Sequence, residues 1–399
     1  MTSGRLTSPS LGLGALVTTL VALGPLSTDL YLPSLPTLAT VFATDAARVQ
    51  MTLSVFLAGF AVAQLAYGGL SDRFGRRPLV LGGLVIYFLA SLACIFATTV
   101  DQLIGARFAQ AVGACAGPVL GRAIVRDAWG PLESARALAY VSGAMALAPL
   151  VGPAIGGLLT EAFGWQSNFV ILALFSGLQL LAVWRWLGET NRTPDPQATR
   201  IVNMAGNFRK LLGDRVYLGC LLGLAFSYSA LFAFISGSSF VLIGRFALSP
   251  AAFGLCFSFA VMGYITGTQL ASHLVRRLGI DSLMTAGGWL GAAAGLVMLG
   301  FELGGVHTLS AVLVPMFFVS ASVGLVMPMS GARALASYPH MAGAASSLMG
   351  FSQMAIAALI GAVVGHYVAG NASVLAATVA ACTVLVPFCY IFLVPRQAR

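Results

Sequence analysis

Charged side chains are scarce in this sequence. Lysine, arginine, aspartate and glutamate together make up 8% of the 399 residues, whereas hydrophobic residues make up 58%. A soluble domain carries about 25% charged residues, so this chain has too few polar residues to cover itself with a water-compatible surface. Its length alone would suggest two or three soluble domains, and the composition excludes them.

Long uncharged segments account for most of the chain. A helix needs about 20 apolar residues to cross about 30 Å of hydrocarbon. The uncharged segments that reach this length are 49–71, 78–100, 137–160, 162–184, 216–244, 246–275, 282–301, 303–332 and 334–395. The last is long enough for two crossings with a turn near 369–373, and segments 6–44 and 101–125 complete the set. The sequence therefore predicts an all-α polytopic membrane protein with twelve transmembrane helices.

Residue types that support other functions are also rare. The chain has one lysine and no Gly-x-x-x-x-Gly-Lys-Ser/Thr motif, which argues against a nucleotide-driven machine. Its six cysteines lie in apolar segments without pairing or metal-ligand spacing, and its four histidines lie near predicted helix ends. No nucleophile–base pair, metal cluster or pore-like ring is visible within the spans. We therefore predict no metal, no cofactor, no enzymatic activity and no channel.

The positive charge is distributed unevenly. The formal net charge is +9, which by itself would suggest a nucleic-acid partner. If Arg5 is cytoplasmic, however, almost all arginines fall in loops on the same side, and the opposite loops hold only Arg48 and Arg245. This asymmetry is typical of a membrane protein with both termini in the cytoplasm, and we expect no nucleic-acid partner. The alternative of a cleaved signal peptide at the N-terminus is disfavoured, because no small-residue cleavage site precedes Asp29.

The chain divides into two halves. The most polar stretch, 188–214, is too short for a core of its own and is predicted to be a cytoplasmic linker between an N-terminal six-helix bundle, 1–187, and a C-terminal bundle, 215–399. AQLAYGGLSDRFG at the end of helix 2 is echoed by TQLASHLVRRLG at the end of helix 8, about 205 residues later. Six plus six spans with an internal repeat favour a transporter with a site between the bundles.

One acid lies well inside a predicted span. Asp29, in LGPLSTDLYLPSLPTL, is the only charged residue between Leu6 and Thr44, whereas every other acid falls at a helix end or in a loop. An ionisable residue within a membrane helix is costly and indicates function. The alternative is that helix 1 ends near Leu26 and leaves Asp29 at the outer interface.

Arg107 is a second intramembrane charge. Asp29 lies about 27 Å along helix 1 from Leu11, and Arg107 lies about 9 Å into helix 4 from Asp101 on the outer side. In helices of about 36 Å the two side chains would reach similar depths, which predicts an interacting pair. The alternative is a lone Arg107 that extends to the outer interface.

Two glycine-containing motifs have a structural and a functional interpretation. In GGLSDRFGRRPLVLGG, residues 68–83, Gly69 and Gly75 suit a tight turn, and Asp72 can cap a helix or pair with Arg73, Arg76 or Arg77. The simpler interpretation is a basic turn that fixes topology. In APLVGPAIGG, residues 148–157, a proline removes a helix hydrogen bond, and glycines admit a neighbouring helix. Its residues of interest are Pro149, Gly152, Pro153, Gly156 and Gly157.

These motifs together resemble a known family. The 68–83 loop resembles the signature loop of the major facilitator superfamily, and RFAQAVGACAG is similar to its Arg-x-x-Gln-Gly motif, with Ala111 in place of the glycine. APLVGPAIGG is similar to the Gly-Pro-x-x-Gly-Gly motif of helix 5 that is associated with antiporters of this superfamily. DLYLPSLP, RAIVRD and GAASSLMGFSQ resemble the Bcr/CflA drug–proton antiporters. In the second half the signature loop is degenerate, since Arg276 stands where the aspartate would be, and the role of that loop stays open.

The resemblance implies a mechanism. It implies a cavity between the bundles, lined mainly by helices 1, 4, 7 and 10, and it implies that both glycine motifs act in the switch between inward-open and outward-open states. Candidate cavity residues are Asp29, Tyr31, Gln110, Tyr228, Gln269 and Gln353, although each of the neutral ones could instead satisfy a neighbour.

We expect a drug and a proton to compete at Asp29 near Arg107, so that the proton gradient drives export of small amphipathic drugs. One proton per cycle is predicted, because helix 1 carries Val21 and Ala22 where some relatives have a second acid. The protein is expected to work as a monomer in a bacterial inner membrane. The alternative is a carrier of the same fold for a metabolite, either exporter or symporter.

Overall fold

The computed structural model describes residues 6–145, 147–191, 201–338, 341–368, 371 and 373–394. Within these residues the chain is helical, apart from its turns and one isolated bridge between Leu6 and Leu187. The helices are α1 (Leu11–Val41), α2 (Ala46–Phe74), α3 (Arg76–Ile95), α4 (Val100–Gly130), α5 (131–145 and Leu147–Phe163), α6 (Gln166–Trp186), α7 (Arg215–Arg245), α8 (Pro250–Leu278), α9 (Ile280–Leu303), α10 (Leu309–Ala336), α11 (Gly343–Tyr367) and α12 (Ser373–Leu393).

These helices confirm the predicted all-α membrane fold. Eleven helices of the described ranges are long and apolar enough to cross a membrane, and α5, with the apolar part Ala148–Phe163, corresponds to the twelfth predicted span. Gly130 separates α4 from α5, because its φ of 70° is not helical. Glycine adopts this conformation readily, whereas residues with a side chain rarely do. The turn predicted near 369–373 falls between α11 and α12, although residues 369, 370 and 372 lie outside the described ranges.

Side-chain caps fix where several helices begin. Asp45 accepts a hydrogen bond from the backbone N–H of Arg48 at 2.7 Å, and Asp214 accepts one from Val216 at 2.7 Å. Ser249 and Thr308 cap α8 and α10 in the same way. Each cap satisfies a backbone donor that the first helical turn leaves without a partner.

The helices pack as two groups. In the first, α1 packs against α4, α5 and α6, while α4 and α6 also pack against α3, and α2 packs against α4. In the second, α7 packs against α10, α11 and α12, α10 packs against α8 and α9, and α9 packs against α12. The groups meet along α2 with α11 and along α5 with α8.

The segment between the bundles contains a helix that the sequence did not predict. The linker helix Ile201–Leu212 lies within the predicted linker 188–214, of which residues 192–200 lie outside the described ranges. Leu211 is fully buried and Phe208 partly so, both in an apolar cluster at the predicted cytoplasmic end of the second bundle. The linker is therefore attached to the C-terminal bundle by packing.

Hydrogen bonds join the two bundles at the predicted outer side. Gln50 of α2 donates to the hydroxyl of Ser236 in α7 at 2.6 Å and also contacts the carbonyl oxygen of that residue. Ser239 donates to the carbonyl oxygen of Leu32 at 2.7 Å, and the Ala251 N–H donates to Glu161 at 2.9 Å. The outer ends of α1, α2 and α5 are thus hydrogen-bonded to α7 and α8.

Candidate functional site

Asp29 lies at a break within α1. The helix Leu11–Asp29 is followed by a 3-10 turn at Leu32–Ser34, which contains a proline, and by a second helix, Leu35–Val41. The span therefore continues past Asp29, as predicted, and does not end near Leu26. Asp29 stands three residues beyond the middle of Leu11–Val41 and is 3% exposed. An acid is thus buried close to the middle of a membrane span.

Two glycines of α5 pack against this break in α1. A Cβ atom at Gly152 would lie 3.0 Å from the Cβ of Asp29, and one at Gly156 would overlap the carbonyl oxygen of Leu30. Because glycine has no side chain, the α5 backbone reaches the Asp29–Leu30 segment directly. Gly152 and Gly156 are four residues apart and therefore share one face of the helix.

The next face of α5 contacts the other bundle. A Cβ at Gly157 would overlap the backbone of Pro250 in α8, and one at Gly254 of α8 would lie 2.5 Å from the carbonyl oxygen of Pro153. Ser258 of α8 donates to the carbonyl oxygen of Leu150 at 2.5 Å, next to the half-buried Pro149. The motif 148–157 therefore connects the Asp29 segment on one side with the C-terminal bundle on the other.

Tyr228 approaches Asp29 from α7. It is half-buried, lies close enough to Asp29 for an electrostatic interaction, and stacks on Phe232 with the ring centroids 6.4 Å apart. Tyr264 of α8 interacts with the same tyrosine. Within the carboxylate's own bundle, Thr28 donates a hydrogen bond to it at 3.2 Å. Two of the predicted site residues, Asp29 and Tyr228, thus lie within range of an electrostatic interaction across the boundary between the bundles.

Arg107 does not pair with Asp29, which corrects the prediction. No ion pair joins these two side chains, both of which belong to the described part of the chain. Instead the guanidinium of Arg107 lies 4.9 Å from the ring centroid of Tyr31. Residues two positions apart on a helix point to nearly opposite sides. Tyr31 therefore faces α4, and Asp29 faces α5 and α7.

The Arg107 site is an aromatic cage inside the first bundle. The guanidinium also lies 4.3 Å from the ring of Phe56 and 5.8 Å from that of Phe169, and the side chain is fully buried. A cation over aromatic faces gains energy even where it lacks an acid, and more so away from water. Arg107 donates to Gln110 Oε1 at 2.5 Å, and Gln110 Nε2 donates to the Ser91 hydroxyl at 2.8 Å.

The other predicted cavity residues are dispersed. Tyr31 and Gln110 are fully buried, and their polar atoms are occupied by Thr52 and by Arg107 and Ser91, so they do not line an open cavity in this conformation. Gln353 is 9% exposed on α11, and Gln269 is exposed on α8. The alternative interpretation, in which a polar residue satisfies its neighbours, therefore describes Tyr31 and Gln110.

The 68–83 loop forms an ion-pair cluster. Arg76 pairs with Asp72 at 2.5 Å and with Asp127, near the end of α4, at 3.0 Å. Gly75, with φ of 95°, makes the turn, whereas Gly69 lies inside α2, which corrects the prediction that both glycines form it. Arg73 lies over the ring of Phe74.

An acid that sequence reasoning missed completes this loop. Glu189 accepts hydrogen bonds from the backbone N–H groups of Arg76 and Arg77 at 2.9 and 3.1 Å and so caps α3. Arg77 in turn donates to the Trp184 carbonyl oxygen at 3.0 Å. Glu189 follows α6 in a polar stretch, where an acid is usually solvated, so no pattern in the sequence singles it out.

Comparisons with known proteins agree on one family. A family model described as Major Facilitator Superfamily matches residues 17–362. A bicyclomycin resistance protein homolog of Haemophilus influenzae is 30% identical over 385 residues, covering 94% of each chain. A chloramphenicol resistance protein of Pseudomonas aeruginosa is 29% identical over 331 residues, covering 82% of this chain and 77% of that protein. Among solved structures, a D-xylose–proton symporter has a TM-score of 0.74 with 16% identity, covering 96% of this chain and 98% of that one.

Proposed function

Because the chain belongs to the Major Facilitator Superfamily, we propose that it is a proton-coupled exporter of small amphipathic drugs that works by alternating access. It is a multi-pass membrane transporter and not an enzyme. The names of the bicyclomycin and chloramphenicol resistance proteins support a drug as cargo. A bacterial inner membrane with cytoplasmic termini is the location that we propose.

The observation that carries the proposal is the environment of Asp29. Asp29 is buried within the span, its Cβ and backbone pack against the glycine face of α5, and it lies within range of an electrostatic interaction with Tyr228 in the opposite bundle. A charge buried in a membrane span is costly unless it is neutralised. Asp29 can be neutralised by a proton, or it can interact with a polar group of a drug bound between the bundles.

Competition between these two occupants is sufficient for antiport. A drug that enters from the cytoplasm displaces the proton from Asp29, and a proton that enters from the outside displaces the drug. The inward proton gradient then drives outward movement of the drug without nucleotide. One buried acid of this kind gives one proton per cycle. No cofactor is required in this scheme.

The packing of α5 supports a way for the bundles to move. Its glycine faces contact the Asp29–Leu30 segment and α8, so a rotation between bundles at Gly157–Pro250 acts directly beside the proton site. The outer hydrogen bonds of Gln50 and Ser239 close that side in the present conformation. We therefore assign this conformation to the inward-facing half of the cycle. Opening to the outside must break both bonds.

The test is drug efflux in a bacterium that lacks its main efflux pumps. Wild-type protein, Asp29→Asn and the control Asp101→Asn, an exposed acid that pairs with Arg48, are expressed at matched levels. We expect resistance to some member of a panel of amphenicols, bicyclomycin-like compounds, sulfonamides and dyes with wild type and the control, and none with Asp29→Asn. Full uphill export by Asp29→Asn would refute the role of Asp29. Export of a metabolite with no drug effect would favour the metabolite carrier.

A further inference from the structure

Arg122 of α4 is a cation without a partner in the part of the chain that the structure describes. Its side chain is exposed, and no described residue forms a hydrogen bond or an ion pair with it. The group that acts on its charge is the thiol of Cys115, which is neutral at physiological pH. A charge within a membrane span is costly and indicates function, and the exchange at Asp29 does not require this one.

Arg122 faces the interior of the protein and not the lipid. Protein atoms surround its side chain on nearly all sides, although solvent reaches it. Other faces of α4 are packed, since Gly117 and Gly121 lie against α1 and Gly113 lies against α3. A side chain that is enclosed by protein and still exposed lines a water-filled cavity.

The cavity opens toward the predicted cytoplasmic side. Cys115, Val119, Arg122 and Arg126 follow one another at intervals of three or four residues and therefore share one face of α4. Along this face Cys115 is fully buried, Val119 is half-buried, and the two arginines are exposed. Access thus decreases from the cytoplasmic end toward the middle of the span, in agreement with the hydrogen bonds that close the outer side.

The Arg122 side chain extends into the membrane. Helical side chains tilt toward the helix N-terminus, which for α4 is the predicted outer end, and the interaction with Cys115, two turns deeper, agrees with this direction. An arginine that anchors a helix at the interface would extend toward the cytoplasm instead. Arg122 lies about 12 Å along α4 from Gly130, whereas Asp29 lies about 27 Å along α1 from Leu11. A cargo that enters from the cytoplasm therefore reaches the depth of Arg122 first.

The surroundings of Arg122 leave its charge available to a cargo. The adjacent Gly121 packs against Val17 and Val21 of α1, so that this wall supplies no acid. A guanidinium presents five N–H donors in one plane, and carboxylate, sulfonamide, nitro or carbonyl oxygens of a drug can accept from them. A cationic drug finds no acceptor at this point and is repelled. A cleft lined by one sign of charge concentrates ligands of the opposite sign.

We propose that Arg122 is a cargo-recognition residue at the cytoplasmic entrance of the cavity, where it admits neutral and anionic amphipathic drugs and excludes lipophilic cations. The inference rests on the proposed drug export and narrows its cargo to a chemical class. Arg122 acts before the drug reaches Asp29, and it takes no part in the exchange of the proton.

The first experiment measures the charge of the entrance without any drug. A cysteine replaces Val119, on the same face of α4, after the native cysteines, which are buried or half-buried, have been replaced. The full-length protein reacts with two thiol reagents of similar size, the anionic methanethiosulfonate ethylsulfonate and the cationic methanethiosulfonate ethyltrimethylammonium. The ratio of the two rates is compared for Arg122, Arg122→Gln and Arg122→Lys. Arg126→Gln is the matched control, because it removes an exposed arginine of the same face nearer to bulk water.

We expect the ratio of the anionic to the cationic rate to fall about tenfold or more in Arg122→Gln. A unit charge about 8 Å away at an effective dielectric constant of about 40 changes the rate of each reagent about fivefold, in opposite directions. Arg122→Lys keeps the ratio, and Arg126→Gln changes it less than Arg122→Gln does. An unchanged ratio in Arg122→Gln, or an equal change in Arg126→Gln, overturns the proposal.

The second experiment measures selectivity in the efflux-deficient bacterium. We expect wild type to protect against an amphenicol or a sulfonamide and not against tetraphenylphosphonium, a lipophilic cation. Arg122→Gln should gain fourfold or greater resistance to tetraphenylphosphonium, which loss of folding cannot produce, and Arg122→Lys should not. Equal protection by wild type against the cation, or unchanged selectivity in Arg122→Gln, overturns the proposal. If no compound is exported, the proposed function fails, while the thiol reactions still decide whether Arg122 sets the charge of the entrance.

Discussion

Replacing Gly156 by alanine tests whether α5 holds the Asp29 segment. The added methyl group would overlap the carbonyl oxygen of Leu30, so α1 and α5 must separate. Overpacking of this kind costs about 1–3 kcal/mol. The better helix propensity of alanine returns up to about 1 kcal/mol. The expected net loss therefore spans about 0–3 kcal/mol and is centred near about 1.5 kcal/mol, and it is accompanied by a displacement of the Asp29 segment.

Gly14→Ala in α1 is the matched control, because no atom lies within 4 Å of the Cβ position there. Thermal unfolding of the purified proteins and drug efflux at matched expression are the assays. We expect Gly156→Ala to unfold at a lower temperature and to lose efflux, while Gly14→Ala keeps both or unfolds slightly higher. Equal unfolding temperatures and equal efflux for the two variants would refute the close packing of α5 against α1 that we describe.

Three further predictions concern the surroundings of the site. Gln50→Ala removes the hydrogen-bond donor to Ser236 and should open the outer side. A cysteine introduced at Ala251 should then react faster with a thiol reagent than the same cysteine in the wild-type background. An unchanged reaction rate would contradict the closure that we describe. Tyr31→Phe keeps the ring over the Arg107 guanidinium and should unfold near the wild-type temperature, whereas Tyr31→Ala should unfold far lower; similar values for the two variants would argue against the cage. Burial alone would raise the pKa of Asp214, but the hydrogen bonds from Tyr338 and two backbone N–H groups and the Arg333 charge together hold its pKa below the usual 3.8. Asp214→Ala should therefore lower the free energy of unfolding by about 1 kcal/mol above pH 5. This difference between variant and wild type shrinks as the pH falls below the usual pKa and vanishes below the folded-state pKa. A difference that stays constant in acid would contradict this assignment.

The sequence was sufficient to predict the membrane class, the twelve spans and the position of Asp29 inside the first span. Hydrophobic length and a solitary acid are local properties, and both can be read without knowing how the helices pack. The pairing of Asp29 with Arg107 was wrong because depth along a helix says nothing about direction around it. The break after Asp29 and the ring of Tyr31 decide which side faces α4.

Tertiary placement explains the other differences. Gly69 and Gly75 have the same chemistry in the sequence, and only the backbone shows that one is helical and the other has φ of 95°. Glu189 and Asp281 lie near helix ends, where acids are common. Only the tertiary structure shows that Glu189 caps α3 and that Asp281 pairs with Arg333 of α10. Residues that act through a partner distant in sequence leave no local pattern to detect.

The most direct test of the central claim is proton release on drug binding. Purified protein in weakly buffered detergent solution is mixed with a drug identified by the efflux panel, and the pH change is recorded for wild type and Asp29→Asn. If proton and drug compete at Asp29, wild type releases up to one proton for each drug bound and Asp29→Asn releases none while still binding drug. Release of the same amount by Asp29→Asn would contradict the claim, because the exchanged proton would then come from another group.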